Sequence, residues 1–139
     1  MIRLTVPGKP HPAARPRFAR IGNGVRTFPG KGDGLAKARV KAAWMAAGQP
    51  TVTGPFACHI EIVAARPKSH WVKGGLSAAG RKSVTPSGDL DNFAKIPLDA
   101  LVEAGAIPDD RYCVALAVTK RWSADRDATG HLEIVVAAG

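Results

Sequence analysis

The chain has 139 residues, of which 45% are hydrophobic, and it carries a formal net charge of +9. This size and composition predict one globular domain, residues 1–139, whose core needs no disulfide or structural metal. Because it has no membrane-length apolar run, no signal-peptide core and two cysteines in apolar stretches, we expect a cytoplasmic protein without a membrane partner.

The first half of the chain predicts two strands, a basic irregular segment and a helix. Residues 2–6 alternate and are β-branched, which favours a strand. Prolines and glycines exclude a regular helix from residues 7–33. An apolar stripe opposite basic residues predicts a helix over 34–47, ended by Gly48. Alternating apolar residues over 56–65 predict the second strand.

The second half predicts a long loop, a second helix and two more strands. Residues 66–88 are rich in proline and glycine, and a loop of this length in a compact domain is usually functional or disordered. Asp91 or Asn92 is expected to cap a helix that ends at Gly105. Alternating apolar residues predict two further strands, over 112–122 and 131–137. The order of elements predicts an α+β fold, a small mixed sheet packed by two helices.

Positive charge is concentrated in two stretches of the chain. Ten of the twenty Lys and Arg residues lie in the first 41 positions, which contain one acid, Asp33. Residues 66–82 add five basic residues and no acid. Clustered positive charge is typical of a surface that binds phosphate backbones, whereas a solvated face usually alternates in sign. The candidates for DNA contacts are Arg15, Arg17, Arg20, Arg26, Lys68, Lys73, Arg81 and Lys82.

Aromatic residues accompany this basic charge. Phe18, His70 and Trp71 lie within or beside the two basic stretches, where their rings could stack on unpaired bases. Trp71 could equally anchor its own loop. The sequence leaves both roles open for Trp71.

The acidic residues are gathered in one short segment. Six of the eleven lie between Asp89 and Asp110. Asp89 and Asp91 alternate along an extended approach to the predicted helix, so both carboxylates can face one ion. Lys95 follows one turn later, where it can stabilise charge on a phosphate, and the pair Asp109–Asp110 can return from the far end of the helix. Carboxylates suit Mg²⁺ or Mn²⁺, and such a site in a basic protein suits phosphodiester cleavage.

Each of these residues also has a purely structural explanation. Asp91 can cap the helix, and Asp89 can interact with the helix dipole. Lys95 can form a surface pair with Asp91 or with Asp99. The acidic pair 109–110 can belong to a turn. The residues alone therefore leave a metal site and a structural role open.

The acidic segment has the sequence GDLDNFAK at residues 88–95, LDAL at 98–101 and DD at 109–110. This spacing closely resembles the signature of the RusA family of Holliday junction resolvases. Residues 7–18 resemble the proline- and arginine-rich N-terminal segment of that family, and residues 66–71 resemble a segment of its phage-type members. The resemblance therefore covers nearly the whole chain, and its central motif is specific.

The resemblance implies a RusA-like, homodimeric crossover junction endodeoxyribonuclease of phage or prophage type. Such an enzyme depends on Mg²⁺, with Mn²⁺ as a substitute, and nicks two opposed strands of a four-way DNA junction during recombination or repair. It implies that the metal ligands, which are also catalytic, are Asp89, Asp91 and Asp110. It implies that Lys95 is catalytic. Asp99 is expected to pair with or orient Lys95, and Asp109 to support the metal ligands without binding the ion.

Pro97 departs from what a regular motif helix allows. It removes a backbone hydrogen bond and clashes with the carbonyl of Phe93, which predicts a kink or a helix that starts late, with Pro97 in its first turn. This departure keeps open a second function, a basic protein that binds branched DNA without cutting it. A third option, a nuclease that acts on other branched DNA, differs only in its substrate.

Overall fold

The computed structural model of this protein describes residues 1–13, 17–22, 24–28 and 31–139, with the backbone alone for residues 17–21 and 25–28. Its strands are β1 (Ile2–Pro7), β2 (Arg17–Ile21), β3 (Gly24–Phe28), β4 (Phe56–Ala64), β5 (Trp71–Val72), β6 (Gly75–Leu76), β7 (Cys113–Trp122) and β8 (His131–Ala138). Its helices are α1 (Asp33–Ala46), α2 (Ala78–Lys82) and α3 (Leu90–Ala104), with short 3-10 helices at Lys68–His70 and Asp110–Tyr112. The described residues contain no helix with the length and apolarity that a membrane span requires.

The main sheet has four strands in the order β1–β8–β4–β7. β8 is antiparallel to both of its neighbours, whereas β7 is parallel to β4. A parallel pair needs a crossover connection, and the chain between β4 and β7 supplies it with α3. The α+β fold with a mixed sheet is therefore confirmed, and β2–β3 and β5–β6 are separate two-stranded hairpins.

One face of the sheet packs against α1 and α3 to form the core. Strict alternation in β1 buries every second side chain, as a strand with one solvated face requires. The helices contribute Val40 from α1 and Phe93 and Leu101 from α3. The two helices are also joined at the surface, where Glu103 accepts hydrogen bonds from Lys37 at 3.0 Å and Lys41 at 2.9 Å. These bonds hold the pKa of Glu103 below its usual value.

The observed elements differ from the predicted ones in the two proline- and glycine-rich stretches. The segment predicted as irregular contains the β2–β3 hairpin, and the predicted loop 66–88 contains β5, β6 and α2. These elements are too short to produce a recognisable hydrophobic period in the sequence. Hydrogen bonds between paired strands stabilise the two hairpins. The prediction that Asp91 or Asn92 caps the second helix is wrong, because α3 begins at Leu90 and Asp89 is its N-cap.

Pro97 lies inside α3, which is continuous from Leu90 to Ala104. The expectation that the helix starts late is therefore wrong. Proline lacks an N–H, so the Phe93 carbonyl loses its helical donor. Pro97 is buried beside the sheet, where it lines a small cavity of about 20 Å³ with Val6 and Leu132. Burial of its ring offsets part of the proline penalty and allows the motif helix to form.

Candidate active site and nucleic-acid interface

The first two acidic residues of the motif lie where α3 begins. Asp89 is the N-cap residue with extended backbone, at φ −82° and ψ 137°, yet its carboxylate forms no capping hydrogen bond. Asp91 follows inside the first helical turn. Both side chains are exposed. Neither carboxylate is therefore used as a cap, and both remain accessible to a ligand.

Contacts on two sides hold this end of α3 in place. Lys120 of β7 donates from Nζ to the carbonyl of Gly88 at 2.7 Å. On the other side, the N–H of Ala13 donates to the carbonyl of Asn92 at 2.8 Å. Residues 8–13, which we call the N-terminal segment, thereby connect the start of α3 to the chain that leads into the basic hairpin. The carboxylates are placed by rigid elements rather than by a free loop.

One exposed face of α3 carries Asp91, Lys95 and Asp99 at a spacing of four residues. This spacing places them on the same side of the helix, with about 12 Å of rise between the first and the last. Within the described part of the chain, Lys95 forms no ion pair, so the expected pairing with Asp99 is not observed. Lys95 occupies the exposed position between the two acidic residues of this face, and its ammonium group remains free to bind an anion.

The second acidic group lies where the 3-10 helix before β7 begins. Asp109 caps that helix, accepting a hydrogen bond from the N–H of Arg111 at 3.0 Å, and this bond lowers its pKa. A side-chain hydrogen bond with Asp109 and the negative charge of Asp109 raise the pKa of Asp110. The negative charge of Asp99 raises it further. The 3-10 helix that carries Asp110 packs against α3, so Asp110 lies within range of the charge on its acidic face.

The structure does not gather the predicted metal ligands into one cluster. No three His, Cys, Asp or Glu side chains within the described ranges are arranged to hold a metal ion. The donor chemistry nevertheless fits a hard divalent cation, because Asp89, Asp91 and Asp110 are exposed oxygen donors that can rotate without disturbing packing. The raised pKa of Asp110 reports crowded negative charge, which a bound cation would relieve.

The predicted DNA-binding residues fall into two groups. Those of the second basic stretch are exposed, namely Lys68, Lys73, Arg81 and Lys82. Arg81 also donates to the carbonyl of Leu76 at 2.8 Å, which fixes the direction of its guanidinium. Arg15 lies outside the described residues. Arg17, Arg20 and Arg26 lie in the β2–β3 hairpin, of which only the backbone is described.

Arg66 has a structural role that its place in a basic stretch did not indicate. Its Nη1 donates to the carbonyl of Gly80 at 2.8 Å, and its Cζ lies 5.2 Å from the centre of the Trp122 ring. His70 packs edge-on against the same ring at 5.3 Å between centroids. The expectation that His70 stacks on DNA is therefore not supported, since its ring contacts the protein. No sequence spacing signals these contacts, because more than fifty positions separate Arg66 from Trp122.

Trp71 has contacts that agree with the anchoring role. It is half-buried in β5, and its indole Nε1 is enclosed. Arg126 lies over its ring at 5.7 Å and donates to the carbonyl of Val72 at 3.2 Å. Phe18 belongs to β2, where side chains lie outside the described residues.

Comparison with known proteins agrees with the geometry of the acidic and basic residues. The sequence matches the family model described as endodeoxyribonuclease RusA over residues 7–136. The matched range contains α3, both groups of carboxylates, the second basic stretch and all of the first basic stretch except its first six residues. No protein of curated function matches the sequence. Since the family model covers nearly the whole chain, this protein belongs to the RusA family of endodeoxyribonucleases.

Proposed function

We propose that this protein is a Mg²⁺-dependent endodeoxyribonuclease that resolves four-way DNA junctions by paired, symmetric nicks. Membership of the RusA family supports nuclease action on branched DNA. The observation that carries the proposal is the exposed face of Asp91, Lys95 and Asp99 on α3, beside Asp110, in a chain of net charge +9. Uncommitted carboxylates within a basic protein suit a cation and a phosphate together.

The chain's own residues supply distinct parts of the proposed reaction. Asp89, Asp91 and Asp110 would hold Mg²⁺, with Mn²⁺ as a substitute, and the ion would supply an activated water and charge stabilisation at the phosphate. Lys95 forms no ion pair within the described residues, so its ammonium can stabilise negative charge that develops on the phosphate oxygens. In-line attack by water breaks the bond from phosphorus to the 3′ oxygen and leaves 5′-phosphate and 3′-hydroxyl ends.

The exposed basic residues would bind the arms of the junction through their phosphates. Lys68, Lys73 and Lys82 belong to the stretch between β4 and α3 that is held together by Arg66. Contacts of this kind position DNA without reading its sequence, and they weaken as salt rises. We therefore expect strongly salt-dependent binding, in which the shape of the DNA rather than its sequence determines the preferred substrate.

Cleavage of synthetic DNA tests this function directly. We expect paired symmetric nicks in a labelled four-way junction with Mg²⁺, no nicks with EDTA, and none in a linear duplex of the same sequence. Tight, salt-dependent binding of the junction without nicks in Mg²⁺ or Mn²⁺ would identify a binding protein instead. Equal cutting of flaps and junctions would identify a nuclease for branched DNA in general.

We also propose that the active species is a homodimer formed through β7. This strand is an edge of the main sheet, and its side chains Val114 and Leu116 are 65% and 47% exposed. An open edge with apolar residues is a typical site of pairing with another chain. A second copy is the occupant that the substrate favours, because two sites related by a two-fold axis match the symmetry of a four-way junction.

Changing Leu116 to Glu will convert the dimer to a monomer, because a charge on the paired edge must be desolvated in the interface. Sedimentation velocity will show wild-type protein at twice the chain mass of 14.5 kDa and the variant at that mass. Leu35→Glu is the matched control, because Leu35 is 61% exposed on α1, away from β7. A monomeric wild type, or a Leu116→Glu variant that remains a dimer, would contradict this assignment.

A further inference from the structure

A cavity lies directly beside the start of α3. It has a volume of about 590 Å³, within the range of roughly 300–1,000 Å³ that is typical of small-ligand sites. Its walls come from the N-terminal segment, the end of β4, the chain before α3 and the last residue of β7. The lining residues that matter here are Lys9, Pro86, Gly88, Phe93, Trp122 and Thr129. We call it the Trp122 cavity.

Trp122 contributes its indole ring to the wall of this cavity. Its Nε1 is enclosed, so the N–H is not presented to a ligand there. The ring, rather than the N–H, is therefore the part of Trp122 that a ligand in the cavity can contact.

The Trp122 ring is fixed in position before any ligand binds. Arg66 lies over one face, and its guanidinium is held in turn by the carbonyls of Gly80 at 2.8 Å and Ser83 at 3.3 Å. His70 packs against the ring edge-on. A fixed aromatic ring next to a fixed positive charge favours a flat, acceptor-rich ligand.

The position of the cavity connects it to the candidate active site. Gly88 and Phe93 both line it, and the chain between them carries Asp89 and Asp91. Lys9, exposed where it lines the cavity, adds a positive charge that can bind a neighbouring phosphate. A ligand in the cavity would therefore belong to the same nucleic acid whose backbone reaches the carboxylates.

We infer that the Trp122 cavity receives one unpaired nucleobase of branched DNA, next to the phosphate that is cut. This inference rests on the proposed function. The base contacts Trp122 and Phe93 with its ring. Bases at a branch point are already unpaired or weakly stacked, whereas a duplex base must first be extruded at a cost of a few kcal/mol. The cavity thus selects branched over linear DNA.

Fluorescence of 2-aminopurine tests the inference without depending on cleavage. The reporter is placed in turn at each position around the branch of a four-way junction, and binding is measured with the Asp91→Asn protein in Mg²⁺. We expect a large fluorescence change at the nucleotide beside the cut and little elsewhere. Trp122→Ala, which removes the ring from the cavity wall, will abolish much of this change and weaken junction binding about tenfold, with duplex binding unchanged.

Two further variants separate a local effect from misfolding. Thr129→Trp leaves Trp122 intact but fills the cavity from an exposed position, so it will also suppress the signal. Trp44→Ala removes an indole that does not line the cavity and whose Nε1 donates to the carbonyl of Pro50 at 2.7 Å, so the folded variant will leave the signal unchanged. Junction binding with a signal that is unaffected by Trp122→Ala and Thr129→Trp would overturn the inference and leave the proposed function standing. Binding that shows no preference for junction over duplex would overturn both the inference and the proposed function.

Discussion

Replacing Asp91 with Asn will lower the rate of Mg²⁺-dependent nicking of a four-way junction by about 100-fold or more. The change keeps the shape of the side chain but removes the negative charge that would hold the cation. Asp91 is exposed and forms no capping bond, so the fold will not depend on it. Single-turnover cleavage of a labelled junction measures the effect, with a thermal melt to confirm that the variant is folded.

Asp127→Asn is the matched control for this experiment. Asp127 is exposed in the turn between β7 and β8, and its replacement also removes one negative charge from the surface. The nicking rate of the Asp127→Asn protein will therefore stay close to that of wild type. Junction binding by the Asp91→Asn protein will be retained or strengthened, because one repulsive charge near the phosphates is gone. A loss of only a few-fold in nicking would remove the carboxylate from the proposed mechanism.

Replacing Gly88 with Ala will reduce both stability and nicking. Gly88 has a φ of +104°, where a side chain is strained, and a Cβ built there would lie 2.6 Å from Cε2 of Phe93. Phe93 is buried in the core, so its ring cannot move aside freely. We expect a loss of about 3 kcal/mol in the free energy of unfolding, from backbone strain and overpacking together. The forced shift will also move Asp89, which follows directly, and lower the nicking rate of the folded protein.

Substitutions at two other glycines separate the effect of backbone strain from the effect of overpacking. Gly105 has a φ of +83° with nothing within 4 Å of an added Cβ, so Gly105→Ala measures strain alone, expected at about 1 kcal/mol. Gly34 is helical and also has open space, so Gly34→Ala will be neutral or stabilising. Urea denaturation of the three variants gives the comparison. If Gly88→Ala were no less stable than Gly105→Ala, the contact with Phe93 would not constrain the start of α3.

Pro97 shows how packing changes the meaning of a local signal. From the sequence it predicts a late or kinked helix, and that expectation gave weight to a protein that binds branched DNA without cutting it. In the structure α3 is continuous through Pro97, whose ring is buried beside the sheet. A late start of the motif helix is therefore no longer a reason to expect a disabled site, and the junction assay with Mg²⁺ and with EDTA decides between the two functions.

Patterns in the amino-acid sequence were enough to predict the features that depend on neighbouring residues. Alternation in β1 and β4, the apolar stripe of α1 and the helix end at Gly105 all arise from contacts within a few positions, so they appear as patterns in the sequence. The acidic motif is equally local, and it was sufficient to indicate the family. The two basic stretches were also evident from the sequence, because the charged residues in a stretch can be counted without knowing the fold.

Contacts between residues that are distant in the sequence follow from the fold and could not be predicted without it. It brought the 3-10 helix of Asp110 against α3, and it packed Arg66 and His70 against the ring of Trp122. It also left β7 as an open edge of the sheet. Such contacts join residues far apart in the chain, and they depend on the order of strands and the path of the crossover. No period or spacing in the sequence encodes them, so the cavity beside α3 could not be predicted from it.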